Sequence, residues 1–224
     1  MYEIPRFTIE VISAILYFIL VKYMIKPYAL TKETRYLGLP LGFAFLGISE
    51  IILASQIIQP INELNGLSVA TRTFAFVFVA MTYYFSKKSS SNNQLIWSIT
   101  LSLLIVGLTA LSLVLIAPAI FNLEVPTSFS IYLRGLSLFF LSYICIHTLG
   151  SHVKKPVPTT FWIPLGFILL AISQYSQLIR MVDSGYAYGL AFVGGLVTRF
   201  VGLAVFLYVA YKAFHRLKKK ENPK

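Results

Sequence analysis

At 224 residues, 57% hydrophobic and 12% charged, the chain carries about half of the roughly 25% charged fraction typical of a soluble domain. So few charges cannot cover a water-facing surface, and with a mean hydropathy of +0.76 the composition excludes an ordinary soluble protein. The net charge of +11 is not a nucleic-acid signal, because the Lys and Arg residues gather at alternate ends of apolar runs, as membrane orientation requires.

Seven apolar stretches follow in chain order, at 7–25, 37–58, 67–85, 95–116, 129–149, 161–179 and 188–214. Each is close to the ~20 residues a membrane helix needs, which predicts an all-α membrane protein with seven transmembrane helices. Together with short connections they use up the length, so no soluble catalytic or output domain is expected. The first stretch is long enough to span and has only Arg6 as a basic residue before it, which argues against a secretory signal peptide. Turn and charge signals fill the connections: Lys26-Pro27 with Lys32 and Arg35, then Gln59-Pro60 and Asn65-Gly66, then Lys87-Lys88 before a Ser-Asn run. Asn122, Glu124 and Pro126, then Lys154-Lys155-Pro156, then Asp183-Ser184-Gly185 mark the rest.

The odd-numbered connections and the tail collect the basic residues, from Lys22 and Lys26 to Lys212, Arg216 and Lys218 to Lys220. The even-numbered ones hold Glu63, Glu124 and Asp183. The alternation predicts a cell-membrane protein with its N-terminus outside and its C-terminus in the cytoplasm.

Pro40-Leu41-Gly42-Phe43 recurs as Pro164-Leu165-Gly166-Phe167, and Ile48-Ser49 as Ile172-Ser173. At that offset Ser13 falls on Ser137, and Glu10 on Arg134. After a small insertion Thr71-Arg72 falls on Thr198-Arg199. The expected organisation is two parallel three-helix repeats, 1–90 and 123–215, joined by a connector helix at 91–122 and followed by a basic tail at 216–224. Pro40 and Pro164 are both expected in the first turn of their helices.

This order resembles the three-plus-one-plus-three architecture of SWEET and PQ-loop transporters and that proposed for the rhodopsin group. The resemblance covers the whole chain as architecture. No Pro-Gln dipeptide marks the first and fifth helices, and the seventh has no mid-membrane lysine for a retinal Schiff base, since Lys212 lies at its end. The Leu-Gly-Phe…Ile-Ser segments are also similar in texture to the seven-helix sensor modules of some archaeal histidine kinases.

Ionisable residues within a span cost ~2.5–3.5 kcal/mol on insertion scales and turn toward the bundle interior. At ~1.5 Å rise per residue, Glu10, Glu50, Arg72, Arg134 and Arg199 all fall in the outer half of the membrane. Matching depths predict a Glu50–Arg72 pair. Gln174 occupies the second-repeat position of Glu50, so Arg199 lacks its equivalent carboxylate and Glu10 is in reach of either Arg134 or Arg199. Ser173, Gln177 and Arg180 share one face of the sixth helix at helical spacing. Three arginines against two carboxylates favour a small anionic ligand. The same residues could instead fix helix packing or line an ion path, and all three readings stay open. The inner half carries no ionisable group other than phenols along several helix stretches, which fits a receptor better than a transporter.

His147 is an isolated imidazole, and no metal-ligand, Cys-x-x-Cys or nucleophile–base motif appears. No cofactor and no enzymatic activity are expected. Gly38, Gly42, Ala191, Gly195 and Gly202 permit close helix approach, while Trp97 and Trp162 are expected as interface anchors. The basic tail can meet anionic headgroups or a protein partner. The expected function is a non-enzymatic, receptor-like sensor acting through a partner. The alternatives are a small-solute transporter and a structural subunit of a membrane complex.

Overall fold

A computed structural model describes residues 3–31, 36–58, 62–85, 91–121, 127–154, 156, 158–182 and 186–221. The described residues form helices α1 (Glu3–Met24), α2 (Lys26–Thr31), α3 (Gly38–Ile58), α4 (Asn62–Phe85), α5 (Ser91–Phe121), α6 (Thr127–Lys154), α7 (Pro158–Val182) and α8 (Tyr186–Glu221). Seven of them, all but the six-residue α2, are long and apolar enough to cross a membrane. The basic connection residues Lys32, Arg35, Lys87, Lys88 and Lys155, with Glu124 and Asp183, lie outside the described residues, as do the boundaries at 90 and 122.

Three local expectations change. Lys26 and Pro27 start α2 rather than a turn, with Pro27 in the first turn where a missing N–H costs little. Asn65 and Gly66 lie inside α4, which begins at Asn62. Pro158 opens α7 earlier than the apolar pattern suggests, so Pro164 falls in the helix interior, not in its first turn. The α8 backbone also stays helical to Glu221, through most of the segment read as a separate tail.

Neighbouring helices close a ring. α1 packs on α3, α3 on α4, α4 on α6, α6 on α7, α7 on α8, and α8 returns to α1. α5 leans on α4 from outside the ring and is the least buried span, whereas α4 is the most buried. Leu103, Val106, Leu113 and Val114 of α5 are exposed, as suits a surface solvated by lipid chains.

Trp97 is one point at which α5 docks. It is 1% exposed and its ring lies 5.3 Å from that of Phe85, so it is not an interface anchor as its position suggested. The reason is Gly38, where an added Cβ would come within 2.9 Å of the indole. Trp162, by contrast, is exposed.

The core takes at least two side chains from each ring helix, and α4 adds Ala75 and Ala80 to its pair. The pairs are Tyr17 and Leu20, Phe43 and Leu46, Phe76 and Val79, Leu141 and Ile144, Phe167 and Leu170, and Leu203 and Phe206. In lipid the helices gain little from hydrophobic transfer, so close packing must hold them together. Gly42 and Gly166 supply it: a Cβ on Gly42 would collide with the Val79 side chain and reach the Ala75 carbonyl at 3.0 Å, and one on Gly166 would meet the Phe206 ring at 2.7 Å.

Candidate functional site: a buried charge chain and its cavity

Above this core, toward the N-terminus of α1, the ring helices turn their ionisable residues inward. Lipid offers no partner to a charge, so each must find one in the bundle. Glu50 of α3 is 1% exposed and takes both flanking guanidiniums, Arg72 Nη2 on Oε1 at 2.9 Å and Arg199 Nη1 on Oε2 at 2.7 Å. Arg199 Nη2 also lies 2.8 Å from Glu10 Oε2. That last contact has the distance of an ion pair without hydrogen-bond geometry, so it is held by charge rather than direction.

The polar chain continues through an amide. Arg72 Nη1 donates to Gln177 Oε1 at 2.7 Å, and Arg134 Nη1 donates to the same oxygen. Read in order, Glu10–Arg199–Glu50–Arg72–Gln177–Arg134 takes one residue from each of α1, α8, α3, α4, α7 and α6. Every ring helix is therefore tied into one polar chain. Ser49 supports it by accepting from Arg72 Nε at 3.2 Å and pairing with Ser68 at 3.0 Å. Thr73 and Ser137 join α4 to α6 at 2.8 Å.

Of the residues singled out from sequence, Glu10, Glu50, Arg72, Arg134, Gln177 and Arg199 thus meet in one network. The expected Glu50–Arg72 pair forms, and Glu10 serves Arg199 rather than Arg134. Arg199 recovers the carboxylate its own half lacks by crossing to Glu50. Gln174 stays apart: it is 4% exposed and its Oε1 has no hydrogen-bond partner, and the adjacent Ser173 hydroxyl is likewise buried without one.

Arg134 is the anomaly. It is 7% exposed, its Nε has no partner, and among the described residues no carboxylate lies within ion-pair distance of it. It lines a cavity of about 240 Å³ whose wall also holds Arg6, Arg180, Arg199, Gln177 and Glu10. Among the described residues this wall presents four guanidiniums against one carboxylate, and that carboxylate already faces Arg199. Arg180 is posed over aromatic rings, with its guanidinium 4.9 and 4.7 Å from the Tyr188 and Phe192 rings and Nη2 donating to Tyr188 Oη at 3.1 Å. Planar guanidiniums around a small cavity form a fork for carboxylate or another oxoanion.

Sequence reading missed Asn65, Gln56, Tyr188 and Phe192 on this wall. Asn65 was placed in a connection, and the aromatic pair carries no signal until α8 is packed against α7. His147 sits between Tyr83 and Tyr143, with ring centroids 5.5 and 6.1 Å away. Among the described residues no group of three His, Cys, Asp or Glu side chains could hold a metal ion.

Seven apolar helices, six of them ringed around a buried arginine–carboxylate chain, define a multi-pass membrane protein with a polar cavity at one end. Comparison with protein-family models, with curated proteins and with solved structures gives no match.

Proposed function

We propose that the chain is a non-enzymatic, receptor-like membrane module that takes a small anion into the arginine-lined cavity and acts through a protein partner. The observation that carries this reading is Arg134, a buried guanidinium on the cavity wall with no carboxylate within ion-pair distance among the described residues. Leaving a charge uncompensated in a low-dielectric site is costly, and an anion in the cavity removes that cost. The ligand side is the outer face, with the N-terminus outside and the C-terminus cytoplasmic, because basic residues favour the other ends of the helices. The cytoplasmic ends of the helices and the basic tail are then the surface offered to a partner.

Two parallel three-helix repeats joined by α5 form the scaffold of this proposal. Support comes from the core: Tyr17, Leu20, Phe43 and Leu46 fall on Leu141, Ile144, Phe167 and Leu170 at the Pro-Leu-Gly-Phe offset. Phe76 and Val79 fall on Leu203 and Phe206 at the offset of the two Thr-Arg pairs. The collisions excluded by Gly42 and Gly166 involve the matching residues Val79 and Phe206. The ring order obeys the same relation, since α4 on α6 corresponds to α8 on α1.

A transporter is the second reading, favoured by cavities at opposite ends of the ring with the Phe43–Phe206–Phe167 cluster between them. Gentle-detergent purification from native membranes, followed by flux assays in liposomes, separates the two. The receptor reading predicts a stoichiometric partner with a soluble signalling domain and no flux by the chain alone. Solute flux by the purified chain without a partner overturns it in favour of transport.

A further inference from the structure

A second cavity, of about 460 Å³, opens at the end of the ring opposite the charge chain. Its floor is the aromatic cluster of Phe43, Phe206 and Phe167, whose rings meet edge to face at 5.3 and 4.8 Å, with Tyr83 on Phe167 at 5.9 Å. The break between α1 and α2 after Met24 places Tyr23, Met24, Lys26 and Pro27 on its wall. Apart from three phenols, Lys26 is the polar side chain among the described lining residues, and its Nζ stands 5.9 Å from the Tyr23 ring centroid.

The size falls within the ~300–1,000 Å³ of small-molecule sites. The chemistry is the reverse of the first cavity. A hydrocarbon floor offers water too few partners to hold it, so an occupant must present an apolar body. A lysine among the lining residues, with its ammonium 5.9 Å from the Tyr23 ring centroid, selects the charge of whatever head group follows that body. We propose that this cavity binds the alkyl chain of an anionic amphiphile, with the anionic head placed at Lys26. The site is independent of the anion cavity and stands whether or not that cavity is a ligand site.

The shared chemistry has two sources, a free fatty acid and an anionic phospholipid of the bilayer. The full chain in phosphatidylcholine nanodiscs is titrated with palmitate in one arm, and in the other is placed in discs doped with phosphatidylglycerol. Native mass spectrometry counts the molecules retained. The expected result is saturable retention of one molecule in at least one arm, and the arm identifies the source. Lys26→Gln weakens it about fivefold, the equivalent of ~1 kcal/mol for one basic residue at a membrane surface. Ala210→Trp, which fills the cavity from α8, abolishes it. Lys26→Gln changes no packed core residue, so it decides the matter if the tryptophan variant fails to fold. No saturable retention in either arm overturns the proposal, as does retention indifferent to Lys26→Gln.

Discussion

Arg199 reaches Glu50 at 2.7 Å across 149 residues of sequence, joining the last ring helix to the second. Glu50 also holds Arg72 at 2.9 Å, so one carboxylate bridges two buried guanidiniums from opposite halves of the chain, and Glu10 beside Arg199 supplies the second negative charge. The second half's Arg199 is thereby satisfied by carboxylates of the first half, which locks the two together.

Glu50→Gln is therefore expected to cost about 3–5 kcal/mol, the range for breaking a buried pair by removing one partner. Glu10→Gln should cost less, since Glu10 faces one arginine without a directed hydrogen bond. Unfolding both variants in mixed micelles against wild type checks the order. Equal losses would remove Glu50 from its central place.

Arg134→Gln should behave in the opposite way. It removes a buried charge that has no carboxylate partner among the described residues, so the unliganded protein should be as stable as wild type or more stable. A melting temperature several degrees lower would make Arg134 a structural strut instead.

Gly42→Ala and Gly166→Ala should each destabilise by ~1–3 kcal/mol, the range for overpacking a filled interior. The added methyls meet Val79 with the Ala75 carbonyl in one case and the Phe206 ring in the other. Gly135→Ala is the control, because nothing lies within 4 Å of a Cβ there, and helix propensity predicts no loss or a gain of up to ~1 kcal/mol. Denaturation midpoints of the three variants test the contrast.

Trp97→Ala should loosen α5 from α4 while leaving the ring intact. The indole is buried against Phe85 and Gly38, and truncation of a buried Trp costs ~3–5 kcal/mol. The expected readout is faster hydrogen exchange confined to α5. Exchange that rises equally in α1 and α8 would contradict the peripheral placement of α5.

Composition and apolar spacing were enough to read seven spans, because in lipid each backbone polar group must be satisfied within its own helix. Depth along each helix was legible too, through the fixed rise per residue, and it predicted the Glu50–Arg72 pair. The partner of Arg199 was not legible. Glu10, Glu50 and Gln174 lie at similar depths, and choosing among them requires knowing that α8 closes the ring against α1. Trp97 was misread for a related reason: a tryptophan near a helix end looks interfacial until Gly38 opens a slot for it. Pro164 was misplaced because Pro158 is itself an acceptable helix start, which the apolar pattern does not register.

The most direct test is the melting temperature of the purified full chain in neutral-lipid nanodiscs with acetate, succinate, phosphate or chloride at matched ionic strength. The account predicts that at least one oxoanion raises the wild-type melting temperature saturably above the chloride control, and that Arg134→Gln loses this shift while keeping its own fold. Wild type and Arg134→Gln responding alike to every anion would contradict it, and the arginines would then serve packing alone.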